Sequence, residues 1–213
     1  MKHLLIIAFA AVAFALPQLA KAQDKQRFPE LRLDQLTPEQ KNWVEGVGAP
    51  PRNANFKLPP YRIYMRSPEL AARITAMSDY LRWNTKFPAR LTEFAILITA
   101  RNWTSHWIWR GHYKLAIKGG LDPKIGAELA AGKRPEGMKD DEAILYELAT
   151  QIYRDKAVSD AAYEAALTKF GERGMVELVG LMGYYDIVAM MLITANAVPP
   201  QDADVPKLQS LAR

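Results

Sequence analysis

The chain has 213 residues, 49% of them hydrophobic, no cysteine and a formal net charge of +5. That length suits one domain with extensions and leaves enough apolar material for a real core. The lack of cysteine excludes disulfides and thiol redox chemistry, and the cations are scattered among acids with no basic run, so neither a nucleic-acid footprint nor a polybasic membrane anchor is present.

Residues 1–22 read as a secretory signal peptide. Lys2 and His3 form a short basic start, Leu4 to Leu16 is an apolar run too short to span a bilayer comfortably, and Ala20-Lys21-Ala22 is a small-x-small cleavage site. An exported protein of the periplasm, or a secreted one, is therefore expected. With no cysteine after the leader, lipoprotein attachment is excluded.

Residues 23–60 form an N-terminal arm. Thr37-Pro38-Glu39-Gln40 is a helix start with a cap, a first-turn proline and a capping-box glutamine. The helix stops at Gly46 to Gly48, and the prolines at 50, 51, 59 and 60 mark extended connectors. The arm either packs on its own domain or crosses onto a neighbouring subunit. Ser67-Pro68-Glu69 opens the next helix, with Leu70, Ile74, Met77 and Leu81 as its apolar stripe. Arg62, Arg66, Arg73 and Arg82 surround it, mostly solvated, with one or two available to a carboxylated ligand.

The stretch from Arg90 to Gly120 is the densest in chemistry. Thr92 to Arg101 reads as a helix with Phe94, Leu97, Ile98 and Arg101 on one face and Ala95, Ile96 and Ala100 filling much of the rest. Asn102, Thr104 and Ser105 interrupt it, with Ser105 as cap of a second helix that Gly119-Gly120 closes. Ile108, His112, Leu115, Ala116 and Gly119 share a face of that helix, so His112 points with apolar neighbours. It is either a satisfied core histidine or an acid–base group in a dry pocket with Glu93 as partner. Glu93 is equally a first-turn acid favoured by the helix dipole. His106 and His112 sit about 120° apart around one helix, so they do not converge on a metal. Trp103, Trp107, Trp109 and Tyr113 either line a pocket for a ring-shaped ligand or simply pack.

Beyond it, Asp122-Pro123 opens a short helix ending at Gly132, and residues 133–139 form a polar loop. Asp140 to Tyr153 is amphipathic, with Ile144, Leu145, Leu148 and Ile152 inward. Ser159 starts a helix that Gly171 stops. Gly174 to Ala197 is apolar on nearly every side, which points to burial on several faces and to a subunit interface. Pro199-Pro200 ends it and residues 201–213 are a polar tail. No strand pattern survives, so the expected class is all-α.

Glu93, eleven residues, Ser105, two residues, Ile108, three residues and His112 form a pattern that resembles the carboxymuconolactone decarboxylase family of the alkylhydroperoxidase-D-like superfamily. The resemblance runs over residues 61–200 and includes Gly120-Leu121-Asp122-Pro123, Ala131-Gly132, Val158-Ser159-Asp160, Gly183-Tyr184-Tyr185 and Asn196. It implies an orthogonal helical bundle, a homotrimer or homohexamer, and no cofactor or metal. In the peroxidase branch the positions of Ser105 and Ile108 are cysteines, so that chemistry is excluded here. In the decarboxylase branch the acid and the histidine remain, and Ile108 departs from the glutamate that many relatives carry. The resemblance thus implies a cofactor-free lyase for a small carboxylated lactone or related cyclic acid, with His112 and Glu93 as proton-transfer residues, and the leader adds the expectation that it is exported. Arg101, Arg110, Trp109, Ser105 and Tyr184 are its substrate-binding candidates, with Arg90 and Tyr185 behind them. A non-catalytic oligomeric small-ligand-binding protein on the same fold is the alternative.

Overall fold

A computed structural model describes residues 27–200 and 202–210, so the leader expected at 1–22 lies outside the described residues. The described residues form eight α-helices and one 3-10 turn, with no strand. The fold is all-α.

The helix α4 (Ala89–Asn102) is the axis of the molecule and packs against α5 (His106–Lys118), α6 (Pro123–Ala130), α7 (Asp140–Asp155) and α8 (Asp160–Thr194). Every residue from Leu91 to Arg101 is buried. A helix apolar on all sides finds its minimum surrounded by others, and each fully buried Phe or Leu contributes about 1.5–3 kcal/mol relative to exposure. The polar residues between Leu91 and Arg101 are buried too, and each has a partner. Thr92 and Thr99 bond back to carbonyls of their own helix, while Glu93 and Arg101 reach across to other helices.

Several local signals act as the sequence suggests. Thr37 caps α1 (Pro38–Gly48) by accepting from the Gln40 amide, and the Gln40 side chain accepts from the Thr37 amide. Asp122 caps α6 by accepting from the Lys124 amide. Gly171 takes φ 69° and breaks the helical run of α8 into two segments. Ser105 occupies the cap position of α5, but its side chain makes no cap hydrogen bond. The turn before it is made by Thr104 at φ 49°, whose hydroxyl accepts from Arg101.

Other expectations are corrected. In α3 (Pro68–Trp83) the inward face is Ala71, Ile74, Thr75, Ser78 and Leu81, while Leu70 and Met77 are exposed. Trp43 of α1 draws this face inward, donating from Nε1 to Thr75 Oγ1 at 3.4 Å. The rotation also turns Arg82, one helical turn beyond Ser78, toward the interior. In α5, Ile108 and Ala116 are buried but Leu115 is 41% exposed, so the expected shared face is split and His112 stands at its edge. The described part of the arm packs on its own domain, where Gln40 donates to the Met65 carbonyl and Arg52 pairs with Asp79. The C-terminal tail is not merely polar. Val205 and Leu208 join the core, Trp109 Nε1 donates to the Pro206 carbonyl at 2.8 Å, and the Gln209 amide donates to the Ala130 carbonyl.

One helix, α8, is long and apolar enough to cross a membrane by length and composition. Here its Leu178, Leu181, Tyr184, Tyr185 and Val188 are buried within the protein, while Val176, Val179, Met190 and Ile193 are exposed.

The end of α5 lies directly on the start of α4, and Gly119 makes that approach possible. A Cβ there would sit 2.9 Å from the Arg90 amide nitrogen and 3.1 Å from the Ala89 carbonyl carbon. Gly119→Ala should therefore cost about 1–3 kcal/mol in urea unfolding, because backbone must yield. Gly183→Ala, where a Cβ meets nothing within 4 Å, should instead stabilise by about 0.5–1 kcal/mol through the loss of glycine's excess unfolded-state freedom.

Candidate functional site

Glu93 enters the site from the first half of α4. Its Oε2 lies 2.6 Å from His112 Nδ1 on α5, and its Oε1 accepts from Arg82 Nη2 on α3 at 3.2 Å. Three helices thus meet through one carboxylate. The side chains of Arg82, Glu93 and His112 are only 14%, 8% and 14% exposed. A carboxylate so buried survives as an anion only with charge-assisted donors around it. Burial pushes the Glu93 carboxyl up, but the charges and hydrogen bonds of His112 and Arg82 outweigh it and hold the group below its ordinary value of 4.5. With Nδ1 engaged by the carboxylate, Nε2 is the imidazole nitrogen left for other chemistry.

Tyrosines wall the pair on the side of α8. The Tyr185 ring meets the His112 ring edge-to-face at 4.9 Å, and Tyr184 meets Tyr185 in the same manner at 5.0 Å. Tyr185 is held well above the usual tyrosine range, chiefly by burial, so its hydroxyl stays neutral. Tyr64, from α2 (Pro59–Tyr64), lies against Tyr184 and is likewise raised, first by burial. Its hydroxyl is buried without a hydrogen bond of good geometry.

A second guanidinium comes from the arm. Arg52 donates from Nε to Asp79 Oδ1 at 3.1 Å and from Nη2 to the Thr75 carbonyl at 3.3 Å. The guanidiniums of Arg52 and Arg82 lie over the Trp83 ring, at 5.2 Å and 4.5 Å from its centroid. The indole provides a π face for two cations that would otherwise repel across a dry interior.

The structure gathers some of the predicted residues and disperses others. Glu93, His112, Tyr184 and Tyr185 are together. Arg101 lies eight residues beyond Glu93, about 12 Å along α4, and spends its guanidinium on the Ala130 carbonyl and Thr104 Oγ1. Arg110 and Trp109 face the C-terminal tail. Arg110 Nε is 3.9 Å from Asp202 Oδ2, and Trp109 packs on Tyr113 beneath Pro206. With His106 they border a cavity of about 310 Å³ under the tail, away from the Glu93 pair. Ser105 is buried in the α4–α5 turn, where its carbonyl accepts from the Trp109 amide. Arg90 binds Asp141 at 2.7 Å and also Glu142, tying α4 to α7. Ile108 is a core residue.

The cation that reaches the pair is Arg82, which in the sequence is one of four arginines around α3 with nothing to set it apart by composition. The inward face Thr75, Ser78 and Arg82 follows helical spacing and is a usable signal. Arg52 and Tyr64 carry none, because their neighbours come from distant segments. Among the described residues no group of three or more His, Asp or Glu is placed to hold a metal ion.

Compared with family models, curated proteins and solved structures, the chain matches none.

The buried pair makes a pH-dependent contribution to stability. Glu93 has a folded-state pKa below its unfolded value, so its contribution is complete above pH 4.5 and is lost as pH falls below that value. Glu93→Gln leaves Arg82 with an uncompensated buried charge and should cost about 3–5 kcal/mol at neutral pH. In urea titrations the variant should also lose the part of the acid limb that Glu93 supplies to the wild type.

Proposed function

We propose that the protein is a cofactor-free lyase of the carboxymuconolactone decarboxylase type, acting on a small carboxylated lactone or related cyclic acid. The observation that carries this reading is the Glu93–His112 contact of 2.6 Å in a buried site. Both residues are those that the resemblance assigns to proton transfer.

The reaction needs two things from the site. As the bond between the ring carbon and the departing carboxylate breaks, its electron pair passes through the conjugated system to the lactone carbonyl oxygen. That developing oxyanion must be stabilised, and a carbon must then receive a proton as carbon dioxide leaves. His112 delivers the proton from Nε2. Glu93 holds the ring through Nδ1 and stabilises its cationic form. Arg82 supplies positive charge beside them, in the role expected of Arg101 and Arg110.

The alternative is an oligomeric ligand-binding protein without turnover. It is supported by Ile108, an apolar core residue where many relatives of the resembled family carry a carboxylate. Assembly into a homotrimer or homohexamer is part of either reading and is supported by the exposed Val176, Val179, Met190 and Ile193 of α8. Export to the periplasm or beyond belongs to both readings as well.

The test is carbon dioxide release from enzymatically prepared 4-carboxymuconolactone by the full-length protein. Under the lyase reading His112→Ala, shown to be folded, should lower kcat by about 10²–10⁴. Turnover that His112→Ala leaves unchanged would remove the histidine from the mechanism. A wild type that binds the lactone and releases no carbon dioxide would favour the binding protein.

A further inference from the structure

In the last turn of α4 a buried guanidinium has no carboxylate. Arg101 is 4% exposed. It donates from Nη1 to the Ala130 carbonyl at 3.1 Å and from Nη2 to Thr104 Oγ1 at 2.9 Å, and its Nε has no acceptor. Both acceptors are neutral. Arg52, Arg82 and Arg90, by contrast, each hold an acid: Asp79, Glu93, and Asp141 with Glu142. Burial lowers the Arg101 pKa from the ordinary arginine value, and no acid offsets it. A charge taken out of water is ordinarily paired, because its lost hydration must be replaced. Arg101 is the place where the protein leaves that pairing to something else.

Arg101 lines a cavity of about 420 Å³ between the ends of α4 and α6 and the flank of α7. That volume falls in the range of small-molecule sites. No Asp or Glu lines it, while two more cations, Lys133 and Arg154, do. Arg154 is matched by Asp155, which it grips through two hydrogen bonds of 2.6 and 2.7 Å. Lys133 pairs with no carboxylate among the described residues. Two positive charges, those of Arg101 and Lys133, are therefore unmatched. Tyr146 and Tyr153 give the same cavity aromatic walls. The Tyr153 hydroxyl is already engaged, 3.0 Å from both Thr99 Oγ1 and Asp186 Oδ1, and Asp186 in turn accepts from Trp103 Nε1 at 2.6 Å.

We infer that this cavity binds a phosphoryl dianion through Arg101 and Lys133. A dianion matches the two unpaired charges, where a single carboxylate would leave one over. A guanidinium beside an ammonium suits the oxygens of a phosphate group. A phosphate monoester would set its organic group against Tyr146 and Tyr153, and free phosphate would use the cations alone. The site is separate from the Glu93–His112 pair, since Arg101 stands about 12 Å along α4 from Glu93. The inference does not depend on the lyase reading.

The experiment is calorimetric titration of the full-length protein with phenyl phosphate, inorganic phosphate and phenol, at about pH 7.5, where the phosphates are mostly dianions. Phenyl phosphate should bind at least about tenfold more tightly than phenol. Lys133→Gln, at an exposed position, should weaken phenyl phosphate by about tenfold, and a folded Arg101→Gln by at least as much. Arg101 also holds the end of α6, so if Arg101→Gln does not fold, Lys133→Gln decides alone. His112→Ala should bind phenyl phosphate as the wild type does, and Lys133→Gln should leave any carbon dioxide release unchanged. Phenyl phosphate bound more tightly than phosphate would identify a monoester as the ligand, and equal binding would identify phosphate itself. Either supports the inference. It would be overturned by phenol binding as well as phenyl phosphate, or by phosphoryl binding that Lys133→Gln leaves untouched. Phosphoryl binding lost in His112→Ala would overturn it too, by moving the ligand to the Glu93 pair. A wild type that binds neither phosphate would reduce Arg101 to a cap on α6.

Discussion

One carboxylate, that of Glu93, is shared by an imidazole and a guanidinium from two other helices, and the surroundings are arranged to make its burial tolerable. An isolated carboxylate would not remain charged at this depth. It does so because α3, α4 and α5 deliver Arg82, Glu93 and His112 to one point. That convergence constrains the packing of α5 on α4, which Gly119 permits by letting backbone touch backbone. It also constrains the rotation of α3, which the Trp43–Thr75 hydrogen bond helps to set.

The arm and the tail take part in the same architecture. The arm supplies Trp43, which orients α3, and Arg52, which adds a second guanidinium over Trp83. The tail covers α5 from the other side, holding Trp109 through the Pro206 carbonyl and meeting Lys114 with Asp202 and Asp204. The helix bearing His112 is thereby fixed on two flanks. A general acid or base gains from such positioning, since proton transfer depends steeply on geometry.

The two arginines nearest the pair along the chain illustrate how short-range reasoning goes astray. Arg101 and Arg110 are close to Glu93 and His112 in sequence, but each points elsewhere because of helical phase. Arg110 precedes His112 by two positions, roughly 200° around the helix, and so faces the tail. Arg101 is two turns beyond Glu93 and satisfies the end of α6 instead. Arg82 is far from His112 in sequence and comes beside it through α3.

Much of this protein was legible locally. The all-α class, the capping box at Thr37, the cap at Asp122, the break at Gly171 and the buried character of α4 depend on period, caps and glycine φ, which neighbouring residues set. The pairing of Glu93 with His112 was open in the sequence, because spacing does not say which of two helical faces will meet. It closed in the fold, where the apolar sides of α4 and α5 pack and bring the two side chains within hydrogen-bond reach. Arg52 and Tyr64 joined them through long-range packing of the arm and α2, which no local pattern encodes, and Arg82 through the inward face of α3, whose helical spacing the sequence does carry. Burial then turned an ordinary acid and histidine into a dry, charged pair, since the dielectric around a group is a property of everything packed against it.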